Sequence, residues 1–157
     1  MKEMRRIRQK LSDERCMEIL EKGTSGVLAL RGEDYPYAVP LSYVADGSKI
    51  YFHCAKAGYK LDLIQYYNRA SFCIIEQDEI VPKEYTTYYR SVIVFGRIHI
   101  IEDEQRKIAA IERLGRKYYA EDEQGLKKEI RDNLDRLCML ELSIEEISGK
   151  EAIELVK

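Results

Sequence analysis

The sequence predicts a mainly β protein with peripheral helices, in which short strands form one small barrel. Segments of alternating apolar and polar residues recur about every ten residues and are separated by turn-forming residues. The longest such segment contains Gly96, and a mid-strand glycine is typical of the bulge or bend that closes a barrel. Helical periodicity is confined to a few segments around these strands, so we expect helices at the periphery.

The N-terminal part is predicted to contain one helix followed by an antiparallel meander. Ser12 is a suitable N-cap, Asp13 and Glu14 favour the positive end of a helix dipole, and Gly23 ends the pattern. An Asp-Gly turn, a strong hairpin signal, joins the second and third strands. The predicted strands are Ser25–Leu30, Tyr37–Val44 and Lys49–Ala55.

The remaining chain is predicted to alternate helices and strands within a single domain spanning residues 1–157, since no linker or repeat is visible. Val92, Val94, Ile98 and Ile100 share one face of its longest strand with Gly96. The predicted elements are a helix at Leu61–Tyr67, a strand at Ser71–Glu76, a loop or lid at Gln77–Tyr85, a strand at Thr86–Ile101, helices at Glu104–Tyr119 and Glu123–Leu134, and a strand at Cys138–Ile144.

Composition indicates a cytoplasmic protein that binds neither membranes nor nucleic acid. The 157 residues are 45% hydrophobic and 34% charged, and no tract is long and apolar enough to span a bilayer. A net charge of −2 gives no electrostatic case for nucleic acid. The four cysteines form no CxxC pair, so we expect reduced thiols and no metal site.

Motifs for common enzyme classes are missing. The chain contains no GxGxxG, GxxxxGK[ST], HExxH or GxSxG sequence. Only two histidines, His53 and His99, are present, and no serine or cysteine lies in a recognisable nucleophile context. Hydrolase chemistry is therefore not expected.

The segment from Tyr51 to Ile64, YFHCAKAGYKLDLI, is a strand-to-helix corner with the features of a ligand site. Period-two alternation puts His53 on the face opposite Phe52, near the end of the strand. Lys56 and Lys60 flank Gly58 just before a helix, whose free N–H groups and dipole favour a phosphate. Taken alone, these residues are also compatible with a hydrogen-bonded histidine at a barrel rim and two solvated lysines.

The preceding strand, YAVPLSYV, can complete such a site. Pro40 forfeits a ladder hydrogen bond, which indicates an edge strand or a bulge and leaves neighbouring backbone groups free for a planar heterocycle. Val39, Leu41 and Tyr43 can form an apolar wall, and Ser42 adds a hydroxyl group. An edge-strand proline without a ligand is the alternative.

Four segments in this order, PYAVPLSYV, DGSKIYFHCAKAGYKLDLI, SFCIIE and YTTYYRSVIVFGRIHII, resemble the flavin-binding split-barrel superfamily of pyridoxamine 5′-phosphate oxidase. The chain is most similar to the nitroimidazole-resistance (Nim-type) branch. The resemblance spans Ser12 to Ser148, and its most specific parts are FHxAxxGxK and YxSVxVFG. It implies a six-stranded split β-barrel that forms a homodimer with two FMN molecules at the subunit interface.

The resemblance also implies roles for individual residues. His53 would lie nearest the substrate and is the expected catalytic residue, and Lys60 would be the main phosphate cation. Tyr89 and Ser91 would approach the flavin from the partner subunit. The residues expected to line the flavin are Val39, Pro40, Leu41, Ser42, His53, Cys54 and Ala55.

Three departures from the family pattern affect these expectations. Cys54 stands where a small residue is common, and Tyr59 replaces a charged residue before the lysine, which bears on the phosphate contacts. The C-terminal sequence LSIEEISGKEAIELVK lacks the RxH-type motif that grips a substrate phosphate. Vitamin B6 oxidation is therefore not the expected activity.

The leading functional hypothesis is an FMN-dependent oxidoreductase that uses NAD(P)H to reduce a small acceptor such as a nitroaromatic or a quinone. The cofactor supplies the chemistry in such an enzyme, which fits a sequence with few catalytic motifs. The alternative is a non-catalytic flavin- or haem-binding module, in which His53 could ligate haem iron. A purely structural dimer is the third hypothesis.

Overall fold

The computed structural model describes residues 1–157 and contains one seven-stranded antiparallel sheet with four α-helices. The strands are β1 (Ser25–Leu30), β2 (Tyr37–Ser42), β3 (Val44–Asp46), β4 (Lys49–Ala55), β5 (Arg69–Val81), β6 (Thr86–Ile100) and β7 (Leu137–Glu151). The helices are α1 (Asp13–Lys22), α2 (Tyr59–Tyr66), α3 (Glu104–Tyr118) and α4 (Glu123–Asn133). None of these helices combines the length and apolar character needed to cross a bilayer.

The strand order, β2-β1-β5-β6-β7-β4-β3, explains how the sheet curls into a split barrel. Strands β2 and β3 form opposite edges of the sheet, yet only Tyr43 separates them in the chain. One residue spans less than 4 Å (~3.8 Å between neighbouring Cα atoms), so the sheet must bend until its two edges meet. The mainly β fold with peripheral helices is confirmed, with seven strands rather than six because Tyr43 divides the predicted strand Tyr37–Val44.

Tyr43 is buried at the point where the chain passes from one edge to the other. Its hydroxyl donates to the carbonyl oxygen of Leu20 at 2.6 Å, and its ring packs edge to face on Phe72. The ammonium group of Lys117 lies 4.3 Å from the centre of the ring and donates to the Tyr43 carbonyl. The expectation that Tyr43 forms part of a ligand wall is therefore wrong, since its side chain belongs to the barrel interior.

The core fills the inside of the barrel through the alternation predicted for its strands. In β4, Ile50, Phe52 and Cys54 are buried, whereas His53 on the opposite face is exposed. The rings of Phe52 and Phe72 meet edge to face at the centre of this core, with centroids 5.0 Å apart. A second, smaller cluster lies outside the barrel and packs α3 and α4 onto β4 and β7; its buried members are Ile101, Ala110, Ile111, Leu114, Ile130 and Met139.

Several local predictions are confirmed. The Ser12 side chain caps α1 by accepting a hydrogen bond from the Arg15 N–H at 3.1 Å. The strand register shifts between Phe95 and Gly96, as expected of a bulge. A side chain at Gly96 would collide with the carbonyl oxygen of Ser143 on β7, so the close approach of the strands requires glycine there.

The predicted loop or lid at Gln77–Tyr85 is wrong. Strand β5 continues to Val81 and pairs with β6 from Thr86 onward, with a single 3₁₀ turn between them. Pro82 lies in this turn, where it breaks no ladder hydrogen bond, and Tyr85 adopts a left-handed conformation with φ 52°. Strand β7 likewise extends to Glu151, beyond the predicted end at Ile144, because pairing with β6 outweighs its acidic sequence.

Candidate functional site

The strand-to-helix corner is built around Gly58, which precedes the first residue of α2. Gly58 has φ 146°, a conformation that residues with side chains rarely adopt, and its carbonyl oxygen accepts the N–H groups of Leu61 and Asp62. No side chain caps the helix. The first N–H groups of α2 therefore remain available to bind an anion.

The two lysines of the corner add positive charge beside these N–H groups. Lys56 is exposed, and Lys60, the second residue of α2, is half-buried. Lys60 lines a cavity of about 150 Å³ together with the end of β4, including Cys54 and Ala55. The corner thus brings together three of the residues that the sequence predicts for a cofactor site.

Tyr59 connects the corner to β2 through a contact between side chains. No pattern in the sequence indicates this contact. The Tyr59 ring meets that of Tyr37 edge to face, with centroids 5.2 Å apart, and both residues line the same cavity. An edge-to-face pair is worth about 0.5–1.5 kcal/mol beyond its buried area. The tyrosine that departs from the family pattern therefore contributes packing in place of charge.

A gap between β2 and β4 lies next to this cavity. Strand β2 pairs only with β1, and Pro40 lies opposite Val27, so the prediction of an edge strand is confirmed. On the other side, β3 pairs with β4 only as far as Tyr51. The last residues of β4 and the whole of β2 therefore present unpaired edges to the same gap.

The predicted wall residues of β2 lie on two faces. Pro40 is exposed and Ser42 is half-buried on the outer face. Val39 and Leu41 are half-buried and pack against the core, and their backbone groups lie at the free edge. The strand therefore offers backbone groups that can bond the edge of a planar ring, together with the partly exposed aliphatic side chains of Val39 and Leu41.

His53 lies on the outer face of β4, opposite Met139 of β7. Its side chain is exposed and makes no hydrogen bond within the chain. It borders a cleft of about 520 Å³ between α3 and α4. A histidine held by a hydrogen bond at the barrel rim is therefore not what the structure contains, and the imidazole is free to meet a ligand.

Cys54 faces the interior and pairs across the strands with Cys138. Burial, reinforced by the neighbouring Cys138 thiol, raises the pKa of Cys54 to about 12. The thiol is therefore neutral near pH 7 and is not a nucleophile there. Its role is to pack behind the corner.

Tyr89 and Ser91 are not brought to the corner within one chain. Ser91 pairs with Lys150 of β7, whereas His53 lies opposite Met139 of the same strand. Residues 139 and 150 are eleven positions apart, which corresponds to about 36 Å of extended strand. These two residues can meet the corner only if a second copy of the chain supplies them.

The residues of α3 and α4 beside His53 belong to no motif and were not predicted as site residues. Tyr118, Tyr119 and Leu126 line the cleft, and Gly115 sets the distance between the two helices. A glycine within an otherwise amphipathic helix was the available signal, because glycine is unfavourable there unless another element approaches closely.

The family model for pyridoxamine 5′-phosphate oxidase matches residues 12–151, so the chain belongs to this family. The resemblance inferred from the sequence is thereby confirmed. A search of curated proteins found no significant match.

Solved structures share the fold at low sequence identity. A Bacteroides thetaiotaomicron protein, described as a 5-nitroimidazole antibiotic resistance protein, is 17% identical in sequence to this chain. Its structure matches with a TM-score of 0.74 over 90% of this chain and 86% of its own. A flavocytochrome from Azotobacter vinelandii is 18% identical, with a TM-score of 0.83 over 96% of this chain and 72% of its own. The FAD and haem binding protein of Mycobacterium smegmatis is 21% identical, with a TM-score of 0.75 over 92% of this chain and 73% of its own.

Proposed function

We propose that residues 1–157 form a single FMN-binding domain that works in the cytoplasm as a homodimeric oxidoreductase, reducing a small acceptor such as a quinone or a nitroaromatic with NAD(P)H. One observation carries the proposal. The positively charged corner at the start of α2 and the unpaired edges of β2 and β4 border the same region of the barrel. A phosphate site next to a slot for a planar ring matches the two ends of FMN.

The residues present fit the cofactor. Lys60, with Lys56 and the N–H groups of α2, would bind the phosphate. The backbone from Val39 to Ser42 would bond the edge of the isoalloxazine ring, and His53, Cys54 and Ala55 would run beside it. A bound flavin would accept reducing equivalents from the nicotinamide and pass two electrons to the acceptor. Solved structures that share this fold include proteins described as a flavocytochrome and as FAD-binding proteins, which supports the proposal of a bound flavin.

The outer face of the sheet supports a homodimer. Val27, Cys73 and Ile93 lie side by side on β1, β5 and β6, and Val27 and Ile93 are about two-fifths exposed, at 40% and 39%. Ile75 on the same sheet is 64% exposed. An apolar row of this kind is stabilised when a second copy removes it from water, at about 25 cal/mol per Å² buried. The second copy would also supply Tyr89 and Ser91 to the site.

His53 would act on the acceptor. Its free imidazole can donate a hydrogen bond from a ring nitrogen to an oxygen of the acceptor, and it can supply the proton that the reduced product takes up. Holding the acceptor in this orientation is the main task left to the protein.

A haem- or flavin-binding module without turnover is the second candidate. The observation that favours it is the exposed, unpaired imidazole of His53, which is a suitable axial ligand for iron. Two of the structural neighbours have descriptions that combine a flavin with haem. One is a flavocytochrome and the other is an FAD and haem binding protein. A Soret band on reconstitution that His53→Ala removes would favour this function over the first.

The proposal is tested by comparing FMN with riboflavin, which differs only in lacking the phosphate. Flavin fluorescence titration should give a Kd for FMN about ten to a hundred times lower than that for riboflavin, because charged hydrogen bonds contribute about 1.5–3 kcal/mol. Failure to bind either compound would contradict the proposal. Equal affinities would contradict the phosphate site at the corner.

A further inference from the structure

Apart from His53 itself, the cleft beside His53 is a surface feature that the proposed cofactor site does not use. It measures about 520 Å³ and lies between α3, α4 and the outer face of β4 and β7. Eight of its fifteen lining residues are hydrophobic. This volume is within the range of about 300–1,000 Å³ that is typical of small-molecule sites.

Specific contacts hold the two helices around the cleft. A side chain at Gly115 of α3 would collide with Leu126 of α4, so the close packing of the two helices at this pair requires glycine. The guanidinium group of Arg116 donates to both carboxylate oxygens of Glu123, at 2.8 and 3.3 Å, and joins the end of α3 to the start of α4. The buried Met139 and Leu114 form an apolar floor. The cleft is therefore part of the fold and is not a loose gap between helices.

The charges at the rim disfavour anions. Asp122 and Glu129 carry negative charge there, and Lys128 is already paired with Asp132 at 2.9 Å. With His53 neutral, the four ionisable rim residues Asp122, Glu129, Lys128 and His53 sum to −1. This is the opposite of the corner, where the positive charges of Lys56 and Lys60 would attract a phosphate.

The mouth of the cleft offers aromatic surface. Tyr118 and Tyr119 are 59% and 61% exposed, so much of each side chain is available to a ligand. Offset stacking of rings is favourable on such surfaces. His53, on the strand side, is a polar group without a partner that can bond a ligand oxygen.

We propose that this cleft binds the electron acceptor, and that the acceptor is an uncharged, planar compound of one or two rings with an oxygen facing His53, as in a naphthoquinone. The inference rests on the proposed function and names the class of electron acceptor that the proposed oxidoreductase would use. Apolar walls, an acidic rim and tyrosines at the mouth select a neutral ring, and His53 places this ring next to the end of β4 that borders the cofactor gap.

The experiment measures the binding of menadione, a neutral naphthoquinone, by equilibrium dialysis against the FMN-loaded protein. Leu126→Trp should fill the cleft and raise the Kd of menadione by about tenfold or more. Lys127→Trp is the matched control, because it places the same side chain on the exposed side of the same helix, and its Kd should stay within about twofold of wild type. The sulfonate of the same ring system should bind about tenfold more weakly than menadione because of the acidic rim.

Tyr118→Ala provides a second variant that removes an exposed ring without disturbing the core. It should weaken menadione binding about fivefold, within the range measured for loss of one aromatic contact. Menadione binding that neither variant changes would overturn the inference, as would equal binding of the sulfonate.

Failure of this inference and failure of the proposed function give different experimental results. If FMN binds and NAD(P)H reduces it while Leu126→Trp and Tyr118→Ala leave menadione binding unchanged, the proposed function stands and the cleft is not the acceptor site. If FMN does not bind, the same dialysis on the protein alone still decides whether the cleft binds neutral rings.

Discussion

The rings of Tyr37 and Tyr59 meet edge to face, with centroids 5.2 Å apart, and join the first residue of β2 to the first residue of α2. The contact holds the unpaired edge of β2 beside the N-terminus of α2. Both residues line the small cavity that also contains Lys60. The proposed slot for the flavin ring and the proposed phosphate site would thereby be held in one fixed arrangement.

Tyr59→Ala should remove this contact. We expect the free energy of unfolding to fall by about 1 kcal/mol and FMN affinity to fall with it. Tyr59→Phe keeps the ring and should retain both properties. Urea denaturation and flavin fluorescence titration measure the two effects, and a loss of affinity in Tyr59→Phe equal to that in Tyr59→Ala would show that the hydroxyl group matters more than the packing.

Lys60→Ala should weaken FMN binding by about 1–3 kcal/mol, because a charged hydrogen bond to the phosphate is lost. Riboflavin binding should not change. Lys22→Ala is the control, since Lys22 is an exposed lysine at the end of α1, away from the corner. Unchanged FMN affinity in Lys60→Ala would mean that the phosphate binds elsewhere.

His53→Ala should separate binding from turnover. Flavin affinity should stay within about threefold of wild type, whereas kcat/KM for the acceptor should fall by about tenfold to a hundredfold, as for the loss of a proton donor. Parallel titration and steady-state assays measure both quantities. An equal loss of the two would argue against a position near the acceptor.

Ile93→Glu should disrupt the homodimer, because it places a charge in the exposed apolar row on the outer face of the sheet. Sedimentation velocity should show a monomer, and FMN affinity should fall because Tyr89 and Ser91 of the second copy are lost. Tyr66→Glu is the control at another exposed apolar residue, 70% exposed on α2. A wild-type protein that sediments as a monomer with FMN bound would contradict the dimer.

Glu141 should control stability in acid. Its carboxylate is buried on β7 and bonded to Lys49 and Arg106, with His99 at 3.5 Å. Burial alone would raise the pKa of Glu141, but the Lys49 hydrogen bond and the charges of Lys49, Arg106 and His99 lower it below its ordinary value. A lowered pKa in the folded state means that the unfolded chain takes up the proton first, so the stabilisation is complete above about pH 4.5 and is lost as the pH falls further.

Glu141→Gln should therefore cost about 3 kcal/mol of unfolding free energy at pH 7, and the difference from wild type should shrink below about pH 4. Denaturation with urea at several pH values measures this. Glu145→Gln is the control, because Glu145 pairs with Arg97 on the surface, where both side chains are about half exposed. A difference that stays constant down to pH 3 would contradict the linkage.

Local patterns in the sequence were sufficient for β4 and its faces, the Ser12 cap and the Gly96 bulge, because each depends on neighbours in the chain. They failed at Gln77–Tyr85, where pairing between β5 and β6 overrides a polar sequence. They also could not predict that Tyr43 turns into the core, since its partners Leu20, Phe72 and Lys117 are distant in the chain.

The candidate site, like the fold, was predictable from the sequence only where its residues are neighbours in the chain. His53, Cys54, Ala55 and Lys60 lie on one continuous segment, so their proximity follows from the chain itself. The cleft beside His53 was not predictable, because it forms only when Gly115 lets α3 approach Leu126 of α4. The Tyr37–Tyr59 contact likewise depends on the curl of the sheet.

The proposed function requires that the barrel hold a flavin that works in electron transfer. The most direct measurement is the absorption spectrum of the protein with one equivalent of FMN per chain, followed by anaerobic addition of NADH or NADPH. We predict a perturbed oxidised-flavin spectrum that bleaches on addition and returns when menadione is supplied. A spectrum identical to that of free FMN would contradict flavin binding, and a perturbed spectrum that neither nicotinamide bleaches would contradict the oxidoreductase.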